Sequence, residues 1–146
     1  MNVKEAMHNI TKLDADTLIS EAAKIMDRKS IGSVLVEENN KVVGIMTERD
    51  ILRKIVAKGI DPNKTTAREI MNSPLITADA DTSIEEASDI MAKHGIRRLV
   101  IMEDNKIAGI ITVRAIAENV RYSIGKRILE DKESEHYRPS YGKPEE

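Results

Sequence analysis

The sequence predicts an α/β protein built from two copies of one small unit, each running helix, strand, strand, helix. Three observations predict this. Residues 14–51 align without gaps on residues 79–116, with roughly 17 of about 40 paired positions identical, the mark of a fixed repeat. Each copy carries an apolar stripe at helical spacing, and each follows it with two β-branched runs flanking a two-residue polar turn. A unit of about 60 residues is marginal alone, so the two copies should share a core.

The elements follow in chain order. Short extended stretches ("ITKL" and "LITA") precede the first helix of each copy. That helix shows Ile19, Ala22, Ala23 and Met26 on one face in copy one, and Ile84, Ala87 and Met91 in copy two. Thr82 with Glu85 three residues later has the form of a capping box and predicts where the second copy's helix starts. "SVLVE", "NN" and "KVVGI" then read as a hairpin, repeated as "LVIME", "DN" and "KIAGI". A closing helix carries Ile51, Leu52, Ile55 and Val56 and stops at Gly59. Its apolar surface exceeds what one sheet face needs, which predicts a homodimer.

The expected boundaries are 1–60 for the first unit, 61–66 for a linker rich in turn residues, and 67–124 for the second unit. Residues 125–146 form a helical extension and a polar tail; after about residue 129 almost nothing is apolar, which predicts a mobile segment.

Composition excludes several function classes. The net charge of −2 gives no global basic field for nucleic acid, and three tyrosines without Phe or Trp leave no stacking platform for single-stranded bases. The lack of cysteine removes disulfides, thiolate metal sites and a cysteine nucleophile. His8, His94 and His136 have no metal-ligand spacing, and no phosphate-binding glycine loop or catalytic triad ordering is present. Neither a secretory signal nor a membrane-length apolar run is visible, so a cytoplasmic location is expected. The seven methionines read as adaptable packing.

The duplicated "DADT…EAAKIM" helix, "IGSVLVEENNKVVGIMTERDI" and "GIRRLVIMEDNKIAGIIT" together resemble a tandem cystathionine-β-synthase (CBS) domain pair, or Bateman module, over about residues 1–122. The resemblance implies pseudo-twofold symmetry with sheet packed against sheet and helices outside, and two clefts that take adenosine-containing ligands: AMP, ADP, ATP or S-adenosylmethionine. It implies a stand-alone sensor that signals to a partner protein, needs no cofactor and has no catalytic residues. The alternative is a structural or interaction module without a nucleotide.

In that family a G-h-x-T/S-x-x-D segment holds the ribose diol with its aspartate. Gly44, Thr47 and Asp50 match it fully, whereas the second copy keeps Gly109 and Thr112 but has Ala115. The first cleft is thus expected to hold ribose and the second to be impaired. A carboxylate can accept both hydrogens of a vicinal diol and alanine cannot, and the glycine would let the backbone approach the ligand. Thr47 and Asp50 equally fit a plain helix cap. The resemblance also implies phosphate contacts from Arg97 and Arg98, with His94 a lesser candidate; solvated arginines and a helix-end histidine are the alternatives. Ile10, Thr11, Ile31, Ile45, Met46, Leu75, Ile76 and Thr77 would line the adenine pocket or simply pack the core. Arg121, Lys126 and Arg127 form a small basic cluster that could touch an acidic partner or be a solvated face.

Overall fold

The computed structural model describes residues 2–133 of the chain. A 3₁₀ turn (Val3–Glu5) leads to β1 (Lys12–Asp14), α1 (Ile19–Lys29), β2 (Ser33–Glu38) and β3 (Lys41–Thr47). One helical turn, α2 (Glu48–Asp50), runs into wider π-type turns over Ile51–Val56. The second copy comprises α3 (Ala67–Ile70), β4 (Thr77–Asp79), α4 (Ile84–His94), β5 (Arg98–Glu103), β6 (Lys106–Thr112) and α5 (Val113–Glu133). The fold is α/β, with two three-stranded sheets in the orders β1-β2-β3 and β4-β5-β6. In each, the first strand pairs parallel with the second and the last two form an antiparallel hairpin.

The hairpin turns show how directly sequence sets local structure. Asn39 and Asn40 have φ of 51° and 61°, and Asp104 and Asn105 repeat those values. Two consecutive left-handed residues make the turn whose twist matches the flanking strands, and Asn and Asp are the non-glycine residues that tolerate it best.

Strand alternation then divides the strands between two kinds of core. Val34 and Val36 face α1, packing with Ile19, Ala22, Met26 and Met46. Leu99 and Ile101 likewise pack with Ile84, Ala87 and Met91. The residues between them, Leu35 and Val100, point the other way and meet Ile110 in a third cluster that joins the two sheets. Leu35 is fully buried there; a fully buried aliphatic side chain of this kind stabilises by about 1.5–3 kcal/mol.

The segment preceding each unit packs on the other unit. Val3 and Ala6 sit in the core of the second copy, and Ala67 and Ile70 of α3 sit in the core of the first. His8 exchanges backbone hydrogen bonds with Ile110 (2.7 and 3.0 Å), and Asn72 does the same with Ile45 (2.8 and 3.0 Å). Ion pairs repeat the exchange at the surface, Lys4 with Glu103 and Arg68 with Glu38.

This exchange explains the two motif glycines. A Cβ on Gly44 would lie 2.6 Å from Met71 Sδ and 2.9 Å from the Asn72 carbonyl oxygen; one on Gly109 would lie 2.7 Å from the His8 carbonyl oxygen. The close approach expected for a ligand is made instead by the crossing chain.

Three local expectations shift. The cap of α4 is Ser83, whose hydroxyl accepts from the Glu86 N–H at 3.1 Å, one residue later than the Thr82–Glu85 reading. The interval around 61–66 is packed: the Thr65 carbonyl accepts from the Ile19 N–H at 2.9 Å, and Thr66 closes a capping box with Glu69. Helix α5 continues through Glu133, past the residue at which the polar segment was expected to begin. The remainder of that expected tail, residues 134–146, lies outside the described residues.

Candidate functional site: an open cleft and a clasped motif

The end of β3 and the start of α2 build the first motif. Thr47 caps the helix: its hydroxyl accepts from the Asp50 N–H at 3.3 Å, while Asp50 Oδ2 accepts from the Thr47 N–H at 2.8 Å and from the Thr47 hydroxyl at 3.0 Å. Asp50 is 9% exposed and has further partners. The Asn72 side-chain amide donates to the same Oδ2 at 2.8 Å. Lys54, one helical turn on, pairs with Oδ1 at 3.3 Å. Its ammonium also donates to the Ile70 carbonyl (2.8 Å) and the Asn72 side-chain oxygen (3.2 Å). Lys54 and Asn72 thus clasp the carboxylate and tie α2 to the chain that crosses from the second unit. A ribose diol at Asp50 would have to compete with that ammonium.

The second motif keeps the cap and loses the clasp. Thr112 Oγ1 accepts from the Ala115 N–H at 3.0 Å. By the repeat, Ala115 stands for Asp50, Asn119 for Lys54 and His8 for Asn72. Asn119 folds back onto its own helix, donating to the Ala115 carbonyl at 2.8 Å. Around this motif lies a cleft of about 1180 Å³, built by both units. Its apolar wall comes from Ile10, Met26, Ile31, Ile51 and Ile110, and its cations are Arg97, Arg98 and Arg114. Asp27, Glu48 and Glu118 balance them, Thr11, Thr112, Ser30 and Ser33 add hydroxyls, and His8 adds an imidazole. Glu118 is engaged by Arg114 at 3.0 Å.

Arg98 reaches this cleft because of a residue on the opposite unit. A Cβ on Gly32 would lie 2.7 Å from Arg98 Nη2 and 3.3 Å from Glu48 Oε1. The bare glycine backbone leaves room for the guanidinium against the first unit. The second copy has Arg97 where the first has Gly32, and Arg98 where it has Ser33, so the cationic wall is one-sided.

The sequence-predicted residues therefore separate. Ile10, Thr11, Ile31, Arg97, Arg98 and Thr112 come together in the open cleft. Thr47 and Asp50 belong to the clasp. Met46 is fully buried in the first unit's core and lies outside the lining of the open cleft. Ile45 and Leu75 pack in the joint between the sheets, and Ile76 packs against the second unit's core. Thr77 is an exposed residue of β4, and His94 is the exposed last residue of α4, outside the cleft lining. Sequence reasoning missed His8, Arg114 and Glu48 as cleft residues. The repeat aligns His8 with Asn72, but nothing in the sequence shows that both lie across the molecule from their own units. Among the described residues no group of three or more His, Asp or Glu is placed to hold a metal ion.

Comparison with known proteins agrees with the geometry. The CBS domain profile matches twice, over residues 3–57 and 67–122. The chain is 39% identical over 117 residues to the uncharacterized protein MK0525 of Methanopyrus kandleri, covering 79% of this chain and 59% of that one, so it spans little more than half of that relative. It is 34% identical over 119 residues to the CBS domain-containing protein YhcV of Bacillus subtilis, covering 81% and 84%. A crystal structure of an uncharacterized conserved protein from Pyrococcus horikoshii superposes with a TM-score of 0.76 at 31% identity, covering 82% of this chain and 92% of that one. With two matched domains in tandem, the exchanged segments and a cleft between the units, the chain belongs to the CBS-domain family as a tandem pair.

Proposed function

We propose that this CBS pair is a regulatory module that binds an adenosine-containing ligand (AMP, ADP, ATP or S-adenosylmethionine) between its repeats and signals occupancy to a partner protein in the cytoplasm. The observation that carries the reading is the open cleft, with aliphatic walls for a flat ring and Arg97, Arg98 and Arg114 for phosphates. A ligand there touches both units and favours the relative orientation in which both walls contact it. That differential affinity is what a partner can read. With Ala115 in place of a carboxylate, this cleft should accept ribose and 2′-deoxyribose alike. Ribose selectivity would instead need the diol to reach Asp50 and displace Lys54 from it.

A solved neighbour named for signal transduction with CBS domains, from Burkholderia ambifaria MC40-6, supports a regulatory role; its TM-score is 0.72 at 27% identity over 80% of this chain and 85% of that one. The chain is also 34% identical to the inosine-5′-monophosphate dehydrogenase of Nitrosopumilus maritimus, but over 23% of that enzyme's length. The match to that enzyme covers its CBS portion and not its catalytic part, which supports a binding role over catalysis.

Calorimetric titration with ATP, ADP, AMP, adenosine and S-adenosylmethionine tests the reading. Micromolar binding without turnover is expected. Silence across the panel favours the second reading, an interaction module, for which the clasped Asp50 and the absent second carboxylate both speak.

A further inference from the structure

The charges around the open cleft are divided between its walls. Asp27 on α1 and Glu48 at the start of α2 belong to the first unit, whereas Arg97, Arg98 and Arg114 all come from the second. The second unit's own acid in the lining, Glu118, is held by Arg114 at 3.0 Å. Three acids therefore stand against three arginines, and the lining has no surplus of arginine over acid. Among the described residues, the ion pairs leave Asp27, Glu48, Arg97 and Arg98 all unengaged.

Glu48 stands at the arginine on which phosphate recognition turns. A Cβ on Gly32 would meet Arg98 Nη2 at 2.7 Å and Glu48 Oε1 at 3.3 Å. Guanidinium and carboxylate thus flank the same bare backbone, one from each unit. An anion taken up by Arg98 has a like charge for a neighbour.

The repeat shows that the fold does not call for this carboxylate. Val113 takes the place of Glu48 in the second copy. Glu48 donates its backbone N–H to the Gly32 carbonyl, and Val113 donates its own to the Arg97 carbonyl, both at 3.0 Å. The helix starts alike with an acid or an aliphatic. What Glu48 adds is an exposed negative charge on the cleft lining.

We propose that Glu48 is a specificity-determining residue that limits phosphate number, so that the open cleft takes AMP in preference to ADP and ATP. The inference rests on the nucleotide reading above. One phosphate can be met by Arg98. Each further phosphate adds negative charge to a cleft whose arginines are already matched by acids. A like charge placed against a ligand group acts mainly by rejecting the wrong ligand.

Calorimetric titration of the whole chain with AMP, ADP and ATP, in buffer free of divalent cations, tests the proposal. Affinity should fall in that order, with AMP roughly fivefold or more tighter than ATP. Glu48→Gln keeps the shape and removes the charge; it should bring AMP and ATP to within about twofold of each other, with an unchanged urea midpoint. Glu48→Asp keeps the charge and should keep the preference for AMP. Three outcomes would overturn the proposal while leaving the nucleotide reading in place: ATP binding as tightly as AMP, a ratio that Glu48→Gln does not move, or a ratio lost equally in Glu48→Asp. Silence of all three nucleotides would remove the nucleotide reading itself and the proposal with it.

Discussion

The Asn72 side chain donates a 2.8 Å hydrogen bond to the carboxylate of Asp50, a residue 22 positions away in sequence. With Lys54 it makes the residue that most resembles a ribose ligand into a structural joint between α2 and the crossing chain.

Asp50→Ala should therefore lower stability as well as change binding. Loss of the cap and of a nearly buried charged hydrogen-bond acceptor predicts about 1–3 kcal/mol, read as a shift in the urea midpoint. Affinity in the open cleft should stay nearly constant. A drop of tenfold or more for the tighter site would place the ribose at Asp50 and reverse the order of the two motifs. Ala115→Asp is the complementary experiment, and should create a preference for ATP over 2′-deoxy-ATP of roughly tenfold or more in the open cleft.

Phosphate recognition turns on Arg98. Arg98→Ala should weaken ATP by roughly tenfold or more while leaving adenosine within about twofold, because a charge-assisted contact contributes on the order of 1.5–3 kcal/mol. Gly32→Ala probes the same contact from the opposite unit. Its Cβ meets only the flexible end of Arg98 and the Glu48 carboxylate, so folding should be little affected while ATP binding falls. Equal losses for ATP and adenosine would remove the phosphate role.

The motif glycines should behave differently from Gly32. In Gly44→Ala and Gly109→Ala the new methyl meets backbone carbonyls of the exchanged segments at 2.9 and 2.7 Å, which cannot swing away. Each should lose about 1–3 kcal/mol of stability, with or without ligand. Wild-type stability in either variant would mean that the crossing chain is free to move off the sheet edge.

Removing residues 1–7 takes Val3 and Ala6 out of the second unit's core. Hydrogen exchange should then accelerate first in β5 and β6, at the opposite end of the sequence, and less in β2 and β3. The milder Val3→Ala should cost about 1–2.5 kcal/mol with the same regional pattern. Uniform acceleration across both sheets would contradict the exchange.

Leu52 and Val56 stand 59% and 65% exposed on the π-type turns while Ile55 beside them is 1% exposed. A homodimer through this face is expected at micromolar concentration, and Leu52→Asp/Val56→Asp should convert it to monomer in light scattering. A wild-type chain that remains monomeric at high concentration would reject the expectation.

The sequence by itself determined the repeat, the α/β class, the order of elements and the hairpin turns. These depend on periods of 2 and 3.6 residues and on left-handed turn positions, all written within a few neighbouring residues. It also determined the asymmetry between the motifs, since Asp50 and Ala115 can be compared letter by letter. Only the tertiary structure decided that Met46 belongs to the core, that Gly44 and Gly109 make room for chain and not for ligand, and that Asp50 is clasped while the Ala115 cleft is open. Each of those depends on which unit a short segment packs against. Val3 and Ala67 carry the same apolar pattern whichever unit receives them, so local sequence leaves the choice open, and the fit of the two assembled sheets settles it.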